Sequence, residues 1–316
     1  MGAGGPVVPD IFEETVSAVL QAKQPLDAWS RARWVPVAKK LGAKKFEAAL
    51  VEKSFSAPER VRAIEILTEF FGGLRGPLAD ACAKMADPLI RARTAWSLGR
   101  LPNEGAPEIL MLLVQDAEAA VRRSALDALG DRFADLDVAT LRKNLASNFA
   151  HSDKRVRLAA ARLATLLPDA AWQTLQSEIE TTARQAWLTT SLAGIWRSQP
   201  AAALDKVLAV LDRSPDPALR LEAIRLIVLA LGDSKLDKPE IELYSNYALP
   251  KSELLTPEMS EKILTHVRPL LLSGDVRLDS EVSRLLGMLE DHSPSTLEKI
   301  AAKLTAESSP LWDVHY

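Results

Sequence analysis

Covalent or metal chemistry in this chain would have to come from four histidines, one cysteine and the carboxylates and hydroxyls around them. Their spacing gives such chemistry little support. His151, His266, His292 and His315 include no pair three or four residues apart, the separation that sets two imidazoles on one helical face as metal ligands. Asp291-His292-Ser293 gathers the residue types of a nucleophile, a base and an orienter, but neighbours in a turn cannot adopt that relay geometry. Cys82 sits in the helical stretch 78–85, where a cysteine serves as a small buried apolar group. Phe71-Gly-Gly-Leu-Arg-Gly-Pro77 reads as a turn between helices, and no glycine-rich phosphate loop occurs. With one cysteine the chain holds neither an internal disulfide nor a Cys-x-x-Cys-His haem site. The sequence therefore predicts no catalytic residue, no cofactor and no metal.

What the sequence does specify is a frame. An acidic residue, two spacers, a branched apolar residue, an arginine, two spacers and a small residue recur as Asp87-Pro-Leu-Ile-Arg91-x-x-Thr94, Glu118-x-x-Val-Arg122-x-x-Ala125, Asp153-x-x-Val-Arg157-x-x-Ala160 and Asp216-Pro-Ala-Leu-Arg220-x-x-Ala223. Weaker copies begin at Ser56, Thr182 and Asp275. The arginine slot steps through Arg60, Arg91, Arg122, Arg157, Ala186 and Arg220 at intervals of 29 to 35 residues, the period of stacked helical repeats. The acidic residue reads as a helix N-cap, and the proline after it in two copies as a first helical residue that needs no N–H. Amphipathic stretches at 108–115, 136–148, 172–182 and 204–212 supply a partner helix before each copy. Small residues three after the slot let helices approach, and Gly99, Gly130, Gly194 and Gly287 share a position near the helix end.

This pattern resembles HEAT and armadillo repeats over residues 43–305. The resemblance implies an all-α fold, a HEAT-like right-handed α-solenoid built as a superhelix of antiparallel helix pairs, with the arginine-bearing helices on its concave face. It also implies an acid–arginine ladder between repeats, which Ala186 and Asp279 should interrupt because neither carries a guanidinium. More faintly, the stretch from Ala230-Leu-Gly-Asp233 through Ser273-Gly-Asp-x-Arg-Leu-Asp279 to Asp313-Val-His-Tyr316 resembles a helical segment of large bacterial membrane-bound-dehydrogenase-like proteins that carry cytochrome c modules.

The frame locates the residues that could bind a partner. Trp96 falls five positions after its slot, where sibling repeats hold Glu65, Asp127, Ser191, Arg225 and Arg284. A tryptophan among polar equivalents points to an exposed inner-face anchor, or to a ring packed on the stems of Arg93 and Arg100. Arg62, Glu65, Arg93, Trp96, Arg100, Asp127, Arg162, Arg225 and Arg284 form the candidate surface on the helices. Arg62/Glu65, Glu222/Arg225 and Glu281/Arg284 are spaced to neutralise one another within a helix, while Arg93, Arg100 and Arg162 lack such a partner. Between Arg220 and Asp279 the chain holds about one surplus period. The surplus at 234–257 carries Tyr244 and Tyr247 and reads as a degenerate repeat or a loop, with binding as the functional alternative.

The expected organisation is a leader or scar at 1–9, an N-terminal helical cap at 10–42, repeats over 43–233, the insertion, a C-terminal repeat over 258–305, and the start of a truncated helix at 306–316. That last segment suggests a piece of a larger multidomain protein. A formal charge of −3 argues against nucleic acid, and no apolar run approaches the ~18 residues of a span. A soluble protein is expected, with cytoplasm and periplasm both open. The function expected is a non-catalytic scaffold that contacts a protein partner or neighbouring domains of its own chain. The alternative is a DNA-binding or DNA-glycosylase-like repeat protein using Trp96 and Asp127.

Overall fold

A computed structural model describes residues 14–22, 31–101, 105–179, 183–232 and 253–316. The described residues are helical, with no strand among them. The leader, part of the N-terminal cap, and most of the insertion, with Tyr244 and Tyr247, lie outside them. The chain forms two compact units, Met1–Asn144 and Leu145–Tyr316.

Unit 1 contains α1 (Val16–Leu20), α2 (Arg31–Leu41), α3 (Ala43–Val51), α4 (Ala57–Phe70), α5 (Gly76–Ala83), α6 (Pro88–Arg100), α7 (Ala106–Leu113) and α8 (Ala119–Asp131). The unit boundary falls within α9 (Val138–Phe149). Unit 2 continues with α10 (Lys154–Ala164), α11 (Asp169–Ile179), α12 (Arg184–Trp196), α13 (Pro200–Arg213), α14 (Pro217–Ala230), α15 (Pro257–Val267), α16 (Val276–Met288), α17 (Pro294–Ala301) and α18 (Pro310–His315). Slot-bearing helices pack on one another: α4 on α6 and α6 on α8 in unit 1, α10 on α12, α12 on α14 and α14 on α16 in unit 2. All of these but α10 also pack on a helix that precedes or follows them in sequence. Alternate helices stacking through a row of partners is the arrangement of a helical-repeat array. Each unit is a stretch of HEAT-like α-solenoid.

The predicted caps form where the side chain is short enough to curl back. Asp87, Asp153, Asp216 and Asp275 accept from the backbone N–H two residues on at 2.8, 2.7, 2.9 and 3.0 Å. Glu118 occupies its N-cap position without a side-chain cap bond, since its extra methylene takes it off the favoured set of capping residues. Asp116 accepts from the Glu118 N–H instead, at 2.9 Å.

The slot residue has a consistent task, which is to close the loop in front of its own helix. Arg60 donates to the Glu52 carbonyl, Arg91 to those of Met85 and Ala86, Arg122 to Asp116, and Arg157 to His151 and Ser152. Asp279 does the same with the sign reversed. Its carboxylate accepts from the Ser273 N–H and hydroxyl at 2.7 and 2.8 Å and from the Gly274 N–H at 3.2 Å.

Small residues at the third position after the slot are buried throughout: Ala63, Thr94, Ala125, Ala160, Thr189 and Ala223. Of the four glycines sharing the later position, only Gly99 answers to close packing. A Cβ there would lie 2.8 Å from the Cα and Cβ of Ala128, whereas Gly130 and Gly287 have open space and Gly194 ordinary contact. The expectation of a shared steric reason therefore holds at one position, where α6 meets α8.

One further expectation needs correcting. The ladder does not stop at Ala186. In unit 2 the Arg157 guanidinium, 5% exposed, reaches past α12 to Glu222 on α14 at 2.7 Å, and the methyl of Ala186 leaves the room. Arg197, at the other end of α12, supplies the guanidinium that the slot lacks, donating to the carbonyls of Ala164, Thr165 and Leu167. As expected for the start of a helix at 306–316, α18 begins after a loop, with Ser309 at its N-cap. His315 fastens α18 to α16, with its Nε2 2.9 Å from Ser283 Oγ and 3.1 Å from the Ser280 carbonyl.

Candidate functional site: a groove across the slot helices of unit 1

Positions are counted from the slot. On one side of α4, α6 and α8 they fall into rows: Pro58, Leu89 and Ala120 at −2; Val61, Ala92 and Arg123 at +1; Arg62, Arg93 and Ser124 at +2; Glu65, Trp96 and Asp127 at +5. Helical geometry puts these residues on one face. They line a groove of about 620 Å³, with Ala128 and Asp131 completing the α8 wall.

Its charges are tied across helices as well as along them. Glu65 forms ion pairs with Arg62 on its own helix at 4.0 Å and with Arg93 on α6 at 3.1 Å. Arg62 also donates to the Ala22 carbonyl at 2.9 Å. Arg100 reaches Glu69 on α4 at 3.3 Å. Arg93 and Arg100 thus find carboxylates one repeat away, a pairing that spacing within one helix cannot reveal. Both guanidiniums stand over the Trp96 ring, at 4.7 and 5.0 Å from its centroid, close enough for cation–π attraction. Trp96 takes the packing alternative: its half-buried ring lies against the two arginines where it lines the groove. It is a clamped wall, since two cations already lie over the ring.

The remaining predicted residues are not brought to this groove. Arg162, Arg225 and Arg284 lie on α10, α14 and α16 of unit 2. There Arg225 pairs with Glu281 of α16 at 2.9 Å, and Arg284 with the same glutamate at 3.5 Å. Glu222 engages Arg157, so the expected Glu222/Arg225 neutralisation is replaced by two bonds between helices. The face residue missing from the sequence-based set is Arg123. Its position four before Asp127 is the signal that would have found it, since residues four apart share a helical side.

The residues considered for chemistry take structural places. Cys82 is fully buried, and burial pushes its thiol up to about 11, which keeps it protonated and inert. His151 accepts the Asp153 N–H at 3.0 Å, and His266 lies 2.6 Å from Asp212. Among the described residues no group of three or more histidine, cysteine, aspartate or glutamate side chains could hold a metal ion. Trp34 and Trp172 belong to the core, 3% and 1% exposed.

No protein-family model matches the chain, and no curated protein matches it. Solved structures do. An engineered protein aligns at 16% identity and a TM-score of 0.32, covering 78% of this chain and 96% of that one. Kap121p, in its complex with Ste12p, aligns at 12% identity and a TM-score of 0.36 over 94% of this chain. The chain corresponds to 43% of the Kap121p chain, under half its length.

Proposed function

We propose that this chain is a non-catalytic scaffold that holds a protein partner, or a neighbouring domain of a larger protein, in the groove of α4, α6 and α8. The observation that carries the reading is the construction of the groove wall. Arg62, Glu65 and Arg93 are held by ion pairs along and between stacked helices, so that part of the wall is ordered before anything binds and loses little side-chain freedom on association. The wall carries Glu65, Asp127, Asp131 and arginines, with no activated nucleophile among them. Fixed polar groups around an apolar floor suit recognition better than turnover.

One observation favours the DNA reading: Trp96 and Asp127 do line the same groove. Against it, Arg93 and Arg100 are spent on Glu65 and Glu69, and duplex binding draws on arginines free to displace counterions. A photo-crosslinking amino acid at Ala92, compared with one at Lys84 on α5, tests the scaffold directly. A discrete protein adduct formed from Ala92 and not from Lys84 is expected. Absence of that adduct, together with salt-sensitive retention of duplex DNA in a mobility-shift gel, would replace the scaffold by the DNA reading.

A further inference from the structure

The groove is unevenly charged. Arg62 and Arg93 share the single carboxylate of Glu65. On α8, Arg123 is exposed and has no hydrogen-bond or ion-pair partner among the described residues. It stands in the first turns of a 13-residue helix, where the backbone dipoles add positive potential. Next to it the floor is apolar: Leu89, 58% exposed, and Ala92 on α6, with Val61 on α4. Asp131 closes the opposite end two turns away. One end is therefore apolar and basic, and the other acidic.

We infer that the groove takes an extended acidic segment of a protein partner, with an apolar side chain seated among Val61, Leu89 and Ala92 and a carboxylate on Arg123. The inference rests on the scaffold reading above and specifies the chemistry of its partner. Spacing sets the motif. Neighbouring helices lie about 8–10 Å apart, and three residues along a helix add about 4.5 Å, so Leu89 and Arg123 are separated by roughly 10 Å. An extended chain covers that in about three residues at ~3.3 Å each. The apolar and acidic residues of the partner are thus three apart. A nucleic-acid strand is also an anion, but it gains most from stacking its bases on a bare aromatic face. Two guanidiniums already lie over Trp96.

The test uses the full chain and fluorescence anisotropy at low salt with four labelled probes: a peptide of repeated Leu-Ser-Ser-Asp, its Leu-Ser-Ser-Lys and Ser-Ser-Ser-Asp counterparts, and a fifteen-nucleotide oligothymidine. Only the Leu-Ser-Ser-Asp peptide is expected to bind, with affinity falling as salt rises. Arg123→Glu and Leu89→Ser should each weaken it by about tenfold or more, while Asp131→Lys should tighten it and Lys84→Glu leave it unchanged. Circular dichroism keeps folding separate from binding, since Arg123 and Leu89 are surface residues. Equal binding of the lysine peptide, an unchanged affinity in Arg123→Glu, or displacement of the peptide by oligothymidine overturns the inference. If the Ala92 adduct forms while the acidic peptide shows no preference, the partner chemistry fails and the scaffold reading stands. If neither occurs, both fail.

Discussion

Both units tie two arginines to one glutamate, and the link between the helices has its signs exchanged. In unit 1 Arg62 at +2 and Glu65 at +5 share a helix, and Arg93 at +2 of the next slot helix joins the glutamate. In unit 2 Glu281 at +2 and Arg284 at +5 share a helix, and Arg225 at +5 of the preceding slot helix joins the glutamate. The link between helices runs in both cases from +5 on one slot helix to +2 on the next. Stacking determines which positions meet, and the residues filling them determine only the sign. A basic row in unit 1 therefore corresponds to an acidic row in unit 2, and the two inner faces should prefer partners with opposite ordering of charge.

The units differ more deeply in how far a single pair reaches. Arg91 in unit 1 meets Asp116 of the adjacent loop at 2.7 Å, one repeat on, whereas Arg157 in unit 2 crosses a whole slot helix to Glu222. Arg157→Ala should therefore cost the most of any change considered, about 3–5 kcal/mol, because it empties a buried site, frees the His151 and Ser152 carbonyls and leaves Glu222 only Lys154 at 3.9 Å. Arg91→Ala should cost less, since Asp116 keeps the Glu118 N–H and Arg91 is the more exposed of the two guanidiniums. Urea unfolding of the two variants compares them, and equal losses would remove the distinction between the units.

Gly99→Ala is next. The close approach of α6 and α8 makes the added methyl an overpacking change of about 1–3 kcal/mol. Gly130→Ala, in open space, should be neutral or stabilising by up to about 1 kcal/mol. Thermal melts showing both substitutions alike would refute the steric account.

Acid titration compares a carboxylate in each unit. Hydrogen bonds from Arg91 hold the Asp116 carboxyl below its usual range against the opposing effect of burial, with help from the Glu118 N–H. Burial alone would push Asp291 up, but bonds from Arg268, Thr296 and the Ser293 N–H outweigh it and hold it down. Depressed folded-state values mean that the stabilisation is complete above the unfolded value of about 3.9 and is lost as pH falls through the folded value. Asp116→Asn and Asp291→Asn should each flatten the loss of stability below about pH 4, as followed by denaturant unfolding at stepped pH. An unchanged slope in either variant removes that carboxylate from the account.

The smallest effect tests the exchanged signs themselves. Glu65→Arg and Arg93→Glu should each lose about 0.2–1 kcal/mol. The double variant, which writes the unit 2 order into unit 1, should regain most of it in a double-mutant cycle. Additive losses would show that more than geometry fixes the sign.

The sequence frame was sufficient for the repeats because caps, slots and small residues are local. Asp87, Asp153, Asp216 and Asp275 cap as their spacing requires, and the slot helices begin where the motif places them. Contacts between stacked helices were not legible. Arg93 to Glu65, Arg100 to Glu69 and Arg157 to Glu222 depend on axial alignment, which no within-helix spacing encodes. The groove was half legible: the +5 row marked Glu65, Trp96 and Asp127, while the +1 row, with Arg123, was not followed.

Arg157 gives unit 2 a mechanical character of its own. Because its side chain bypasses α12 and grips α14, a tensile load on α10 is shared with a helix two repeats away. Pulled from its ends, that stretch should yield in one long extension, where a chain of nearest-neighbour links would give way one helix pair at a time.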